Sequence, residues 1–332
     1  MSMGRVRAAM HTRRLFTVID SHTAGHPTRV VTSGIPALQG RSVREQRDDF
    51  RARYDGLRTL LLHEPRGHAA MAGAIPVPSM IADQGLFFVF SYSYADMCGH
   101  ATIGYVASLA ALGSLPASFE QNGMSIETPA GIVHVKGKFE AGRLTSVILR
   151  NVPCHVLASD VAVEADGFGQ VICDLAYSGI TYALVDAGMF ELPFDIANAG
   201  HWCRAGMAIK DALNSISENP KIDSVLFYHS VDGGARHLVV LAGNKFDRSP
   251  CGTGTSARLA QLHRRGEIAP GASYRAENIM GVPFVATIAE LAETRSGQPA
   301  VIPEVRGMAH LSAFSTLVLE AEDPIPSGFL PG

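Results

Sequence analysis

The sequence predicts an α/β protein with two similar halves, in which β-strands lead into a Cys-Gly turn followed by a buried helix. Two segments, 96–104 and 249–257, carry this prediction because they share the pattern Cys-Gly-x-x-Thr. Their cysteines, Cys98 and Cys251, lie almost half the chain length apart. Each pattern runs on into an apolar segment with helical spacing. The chain therefore has a weak internal repeat, carried by the order of its elements more than by identity.

The composition is that of a compact, turn-rich enzyme. The chain has 332 residues, of which 47% are hydrophobic and 18% charged, with 33 glycines and 18 prolines. This length suffices for two cores. The net charge of −3 gives no basic surface for nucleic acid or anionic lipid. No apolar run reaches the roughly 18 residues that a membrane helix needs. We therefore expect neither a nucleic-acid partner nor a membrane segment.

The cysteines and the N-terminal residues indicate the cellular compartment of the protein. Five cysteines without CxxC spacing predict neither a disulfide framework nor a structural zinc site. Residues 1–14 contain four arginines and no apolar stretch, which is typical of a disordered arm and not of a signal peptide. Free thiols and the lack of a leader favour a cytoplasmic protein.

The first half is predicted to be mainly β-structure with two helices. A hairpin over 16–32 has a polar tip, and an amphipathic surface helix spans 42–62. A loop containing Gly and Pro follows it over 63–74. Further strands are predicted over 85–94, 126–135 and 144–152. A buried helix begins at Cys98 and ends near Gly113.

The second half repeats this order. Its predicted strands span 171–177, 181–185, 224–229 and 236–242, with a helix over about 196–215. A buried helix then begins at Cys251 and ends near Gly266.

Cysteines at two helix N-termini suggest acid–base chemistry. An ordinary thiol has a pKa of about 8.5. The free amides of a first helical turn lower that value and can also hold a carboxylate. Glycines beside each cysteine let the backbone approach a ligand closely. A thiolate on one face of a carbon acid and a thiol on the other would invert the stereocentre without pyridoxal, metal or nicotinamide. For either cysteine alone, a buried structural thiol is the ordinary interpretation.

Four motifs, spread over nearly the whole chain from Ile19, together form a specific pattern. They are IDSHT at 19–23, EPRGH at 64–68, MCGHATIG at 97–104 and DRSPCGTGTSA at 247–257. The chain resembles the proline racemase family, which includes 4-hydroxyproline 2-epimerases and trans-3-hydroxyproline dehydratases. The resemblance implies a diaminopimelate-epimerase-like fold, with two pseudo-symmetric domains that are each a β-rich shell around a central helix. It places residues 15–152 and 280–328 in the first domain and 153–279 in the second, with the active site in the cleft.

The resemblance also implies roles for individual residues. Cys98 and Cys251 match the two catalytic bases. The groups that match those binding the substrate carboxylate through backbone amides are Gly99, His100, Gly252 and Thr253. His100 and Asp247 match the side chains that contact the ring nitrogen. A homodimer, a small amino-acid ligand and the absence of a cofactor are implied in the same way.

Substrate choice depends on fewer residues. Dehydratases of the family usually carry Thr at the second cysteine, so Cys251 favours inversion. Proline racemases typically carry Phe where this chain has Ala72 and Leu241, and smaller side chains leave room for a hydroxylated ring. His22 and His68 are further candidates for the pocket lining. The expected activity is a 4-hydroxyproline 2-epimerase, with proline racemase as the alternative. His26 and the Ala69-Ala70 pair depart from the family pattern.

Other classes of function remain open at this point. A metal-dependent hydrolase could use the residues His22, His26, His63, Glu64 and His68. His22 and His26 have the i, i+4 spacing of a helical metal pair, but Gly25 and Pro27 disfavour a helix there. A thiol redox protein with a bond between Cys98 and Cys251, or a non-catalytic amino-acid-binding protein, would also fit.

Overall fold

The computed structural model describes residues 12–331, and within them the chain forms eighteen strands and five α-helices. The first part contains β1 (Thr12–Thr23), β2 (His26–Val31), α1 (Val43–Leu62), β3 (Ala72–Val77), β4 (Gln84–Phe90), β5 (Tyr94–Ala95), α2 (Gly99–Ala111), α3 (Phe119–Asn122), β6 (Met124–Thr128), β7 (Gly131–Glu140) and β8 (Arg143–Arg150). The second part contains β9 (His155–Ala165), β10 (Gly169–Tyr177), β11 (Thr181–Asp186), α4 (Ala199–Ser215), β12 (Ser224–Val231), β13 (Gly234–Leu241), β14 (Lys245–Asp247), α5 (Gly252–Arg264), β15 (Ser273–Asn278), β16 (Pro283–Glu293), β17 (Pro299–Gly307) and β18 (Ala309–Glu320).

All eighteen strands are connected through hydrogen-bonded neighbours. Most pairs are antiparallel, and the parallel pairs are β2–β3, β4–β6, β11–β12 and β13–β15. Strand β17 pairs with β8, and β18 pairs with β1, so the chain returns at its end to the strands where it began. Strand β16 pairs with both β15 and β17, and the β17–β8 and β18–β1 pairs link the two parts. The domain boundaries at 153 and 280 stay a prediction.

Helices α2 and α5 are each surrounded by β-strands. Every residue of α2 from Gly99 to Ser108 is buried, and the helix contacts β1, β2, β3, β8 and β18. Every residue of α5 from Gly252 to Leu262 is buried, and the helix contacts strands that include β9, β10, β16 and β17. Each Cys-Gly turn therefore opens a central helix within a β-rich shell, which confirms the predicted α/β class and architecture.

Helix α1 covers the outside of the first part. It begins with a capping box, in which Ser42 accepts a hydrogen bond from the Glu45 N–H and the Glu45 carboxylate accepts from the Ser42 N–H. Its apolar face, which includes Phe50 and Leu61, packs with Phe87 of β4 in one core cluster. The helix predicted over 42–62 is confirmed.

Some predicted boundaries were wrong. The strand predicted over 85–94 ends at Phe90, because a turn closed by the Phe90 N–H and the Ser93 carbonyl interrupts it. The α-helix predicted from 196 begins at Ala199 after a short 3-10 turn. The predicted arm at 1–14 lies outside the described residues up to 11, while residues 12–14 belong to β1, which pairs with the distant β18. No helix in the described part of the chain is long and apolar enough to cross a membrane.

Candidate active site

A cavity of about 860 Å³ lies where the N-termini of α2 and α5 meet. Its lining includes Cys98 and Gly99 from the first helix opening and Cys251 and Thr253 from the second. The two openings touch through glycine: a Cβ added to Gly99 would lie 2.9 Å from the Gly252 Cα. The first amides of a helix have no partner within it, so two sets of free donors converge here. This arrangement can hold an anion between two positive helix ends.

Cys98 is the N-cap residue of α2, with extended backbone angles and 4% of its surface exposed. Its Sγ lies 3.4 Å from His100 Nδ1. Burial by itself would lower the pKa of His100, but the adjacent Cys98 and Asp247 outweigh burial and raise it to about 10. His100 is therefore an imidazolium at neutral pH, and it can pair with a thiolate at Cys98.

Cys251 is the N-cap residue of α5 and has a φ of 64°, in the left-handed region that a side chain adopts only under strain. The Ser249 hydroxyl holds this geometry by accepting the Cys251 N–H at 3.1 Å. The Sγ accepts the Gly254 N–H at 3.4 Å and lies 3.2 Å from the Tyr182 hydroxyl. Burial, aided by Asp247, raises the pKa of Cys251 well above its usual range. This sulfur is therefore a thiol at neutral pH.

The Asp247 carboxylate contacts residues of both helix openings and of the β1–β2 hairpin. It is buried, accepts the Ser249 N–H at 2.8 Å, and has one carboxylate oxygen 3.6 Å from His100 Nδ1. The other oxygen lies 3.1 Å from His26 Nδ1. Burial would raise the pKa of Asp247, but His26 and His100 hold it well below its usual range. Asp247 is therefore a buried carboxylate able to accept hydrogen bonds from a cationic ligand.

The structure brings most of the sequence-predicted site residues together. The predicted residues that line the cavity are Cys98, Gly99, His100, Leu241, Asp247, Cys251 and Thr253. Gly252 lies against Gly99 at the helix contact. The other three are not among the described lining residues. Ala72 is fully buried in β3, while its neighbours Ala70 and Met71 line the cavity. The His22 ring packs on His310, and His68 is exposed.

Two residues of the site were not assigned to it by sequence reasoning. Tyr182 stands in a strand with no motif around it, yet its hydroxyl bonds Thr253 Oγ1 at 2.7 Å as well as facing Cys251. His26 departs from the family pattern in the sequence, and in the structure it contacts both His100 and Asp247. The departure of His26 from the family pattern, close to the matching motif at 19–23, was the signal available in the sequence.

The five residues of the metal-hydrolase hypothesis do not converge. Among residues 12–331, the group of side chains close enough to hold a metal ion is His26, His100 and Asp247, of which only His26 belongs to that hypothesis. His63 instead bonds the Ser91 carbonyl through Nε2 at 2.8 Å.

The chain is similar to known proteins over nearly its whole length. The sequence model described as proline racemase matches residues 18–330. A protein of Streptosporangium roseum named 4-hydroxyproline 2-epimerase is 39% identical, with 97% of this chain and 100% of that protein covered. A proline racemase of Clostridioides difficile is 34% identical over 96% of this chain and 98% of its own length.

A solved structure shows the same fold. The hydroxyproline epimerase of Agrobacterium vitis, described with bound trans-4-hydroxy-L-proline, superposes with a TM-score of 0.89 at 29% identity, with 96% of each chain covered. The predicted diaminopimelate-epimerase-like fold is thereby confirmed.

Proposed function

Because this chain belongs to the proline racemase family and is an isomerase of the racemase and epimerase type, we propose that it is a 4-hydroxyproline 2-epimerase that needs no cofactor. It would convert trans-4-hydroxy-L-proline to cis-4-hydroxy-D-proline by inverting the α-carbon. The observation that carries this proposal is the pair Cys98 and Cys251, each at the N-terminus of a central helix and both on one cavity.

The two cysteines act in succession on opposite faces of the substrate. Cys98, paired with the His100 imidazolium, removes the α-proton as a thiolate. Cys251 then delivers its thiol proton to the other face, and the reverse reaction uses the same groups in exchanged roles. Each forward turnover therefore leaves Cys98 as a thiol and Cys251 as a thiolate, and the Tyr182 hydroxyl contacts the sulfur that carries this charge. After product release, Cys98 gives a proton to water and Cys251 takes one from water, which restores the starting pair.

The backbone amides at the two helix openings bind the substrate carboxylate. Amides of Gly99, His100, Gly252 and Thr253 surround the point where α2 meets α5, and they stabilise the negative charge that grows on the carboxylate as the α-proton leaves. The ring nitrogen is cationic in the free amino acid, and Asp247 is the buried carboxylate available to accept its N–H groups. Closure of the cavity against water would strengthen each of these interactions.

Leu241 supports hydroxyproline as the substrate. It lines the cavity at a position where proline racemases of the family typically carry Phe. A smaller side chain leaves space for the ring hydroxyl, a preference worth about 1–3 kcal/mol. Proline racemase is the second candidate, since a relative of that name is also similar over nearly its full length.

Deuterium exchange tests the proposal. Trans-4-hydroxy-L-proline and L-proline are incubated separately with the enzyme in D2O, and loss of the α-proton signal is followed by NMR. We expect exchange of hydroxyproline together with formation of its cis epimer, and slower exchange of proline. Faster exchange of proline would make the enzyme a proline racemase, and exchange of neither compound would show the proposal to be wrong.

The mechanism has its own test. Cys98→Ser and Cys251→Ser should each lower the rate of inversion by about 10²–10⁴-fold, the usual contribution of a general acid or base. Cys203→Ala is the matched control, because Cys203 is a buried thiol of α4 away from the cavity lining. Full activity in either serine variant would contradict the two-base mechanism.

The resemblance further supports a homodimer, which light scattering on the purified protein would test. The five cysteines are all free in the structure, and this supports a reducing compartment such as the cytoplasm.

A further inference from the structure

His26, His100 and Asp247 form a buried cluster beside the cavity. Each residue offers one ligand atom, and these atoms all lie within 4.8 Å of one another. No other such group of three His, Cys, Asp or Glu side chains occurs in the part of the chain that the structure describes. Two imidazoles and one carboxylate are a donor set that suits zinc and similar transition metals, whereas magnesium and calcium prefer oxygen ligands.

The polar atoms of His26 are not fully satisfied by hydrogen bonds. Its Nδ1 accepts the Arg248 N–H at 3.0 Å, so this nitrogen presents a lone pair. The same Nδ1 lies 3.1 Å from an oxygen of Asp247, which is an acceptor as well. Its Nε2 is buried without a hydrogen-bond partner. Two acceptors therefore face each other at contact distance, and a cation bound to both would replace their repulsion with attraction.

The spacing of the ligand atoms fits a tetrahedral ion. Zinc binds imidazole nitrogen at about 2.0–2.1 Å, and two such ligands in a tetrahedron lie about 3.3–3.4 Å apart. His26 Nδ1 lies 3.1 Å from one oxygen of Asp247 and His100 Nδ1 lies 3.6 Å from the other oxygen, so each imidazole is near that spacing from the carboxylate.

We propose that His26, His100 and Asp247 bind a divalent transition-metal ion of the zinc class, and that this ion excludes the amino-acid substrate. The exclusion rests on the proposed function, in which His100 and Asp247 contact the substrate's ring nitrogen. The ion is thus an inhibitor, and the two-cysteine reaction proceeds without it. Binding must displace the Arg248 N–H from His26 and release the proton of the His100 imidazolium, because a metal-bound imidazole is neutral. It also works against the nearby Arg248 guanidinium, which bonds the Phe246 carbonyl. The site is therefore weaker than a structural zinc site.

Metal titration tests the binding. Chelator-treated wild type is titrated with Zn²⁺ by calorimetry and with Co²⁺ by visible absorption, and we expect one ion per chain with the spectrum of four-coordinate cobalt. His26→Gln should weaken binding by at least about 10-fold, the smallest loss usual even for a group outside the ligand shell. His22→Gln is the matched control, because His22 lies in the same hairpin but outside the cluster, and it should bind like wild type.

Two results would overturn the site. One is the absence of stoichiometric binding to wild type. The other is loss of binding in Cys98→Ser with unchanged binding in His26→Gln, which would assign the ion to the thiols. If His26→Gln does not fold, His26→Asn replaces it, and we expect the same loss of metal affinity.

A separate arm tests the exclusion. Trans-4-hydroxy-L-proline should weaken the apparent affinity for Zn²⁺ more than glycine at the same concentration does, because both amino acids chelate free Zn²⁺ but only hydroxyproline occupies the site. An equal effect of the two amino acids would overturn the exclusion. Deuterium exchange by the metal-free enzyme distinguishes this failure from a wrong substrate, since it reports on hydroxyproline independently of any ion.

Discussion

The contact between Gly99 and Gly252 gives the sharpest prediction. In Gly99→Ala the new Cβ would lie 2.9 Å from the Gly252 Cα, 3.3 Å from the Gly252 carbonyl carbon and 3.4 Å from the Thr253 nitrogen. All three atoms are backbone, so no side chain can rotate away. Carbon atoms prefer a separation of about 3.5–4.0 Å. The N-termini of α2 and α5 must therefore move apart by about 0.6–1.1 Å.

This separation should affect catalysis more than folding. Overpacking of this kind costs about 1–3 kcal/mol of unfolding free energy. Amides on both sides of the contact are assigned to one carboxylate, and a displacement of about 1 Å can cost 10²-fold in rate. We therefore expect kcat/KM of Gly99→Ala to fall by about 100-fold. Deuterium exchange of trans-4-hydroxy-L-proline measures the rate, and urea unfolding measures the stability.

Gly56→Ala is the control. Gly56 lies within α1, where an added Cβ meets no atom within 4 Å. Alanine there should leave turnover unchanged and add about 0.5–1 kcal/mol of stability, because glycine is unfavourable inside a helix. Wild-type turnover in folded Gly99→Ala would refute the reasoning that the two helix openings bind one carboxylate.

Three further predictions follow from the site. Because burial holds the pKa of His26 near 3, against about 6.5 in the unfolded chain, the unfolded state takes up an extra proton below pH 6.5 and stability falls as the pH drops. In urea unfolding of His26→Gln between pH 5 and 7, the unfolding free energy should therefore depend on pH with a slope shallower by up to about 1.4 kcal/mol per pH unit, and a wild-type slope in this variant would contradict the reasoning. Tyr182→Phe removes a hydrogen bond to the Cys251 thiolate worth about 1.5–3 kcal/mol, so kcat should fall about 10–150-fold in both directions while the equilibrium constant stays the same; undiminished rates would exclude this role. Leu241→Phe should shift the ratio of kcat/KM for hydroxyproline over proline downward by about 10-fold or more, and an unchanged ratio would remove Leu241 from substrate choice.

The elements that the sequence predicted best are those whose signals are local. The capping box of α1, the apolar spacing after Cys98 and Cys251, and the glycines beside them lie within a few residues of one another. Such signals specify where a helix begins through backbone sterics and hydrogen bonds between neighbours. Neighbouring residues alone therefore suffice to place the two Cys-Gly turns at helix N-termini.

Two of the predictions that failed concern contacts that the local sequence does not specify. Residues 12–14 form a strand because β18, some 300 residues later, pairs with them. Ala72 does not line the cavity because it points into the core from β3, and strand alternation alone could not tell which of its neighbours faces the ligand.

By itself, the sequence determined the chemical groups at the two helix openings and the family to which they belong. Only the tertiary structure decided that Gly99 meets Gly252, that Tyr182 faces Cys251 and that His26 reaches Asp247. The physical reason is that helix initiation depends on neighbouring residues, whereas these contacts depend on the pairing of strands separated by long stretches of chain. Cys98 and Cys251 are thus identifiable from their motifs, but only the tertiary structure decided that His100 lies against the first sulfur and Tyr182 against the second.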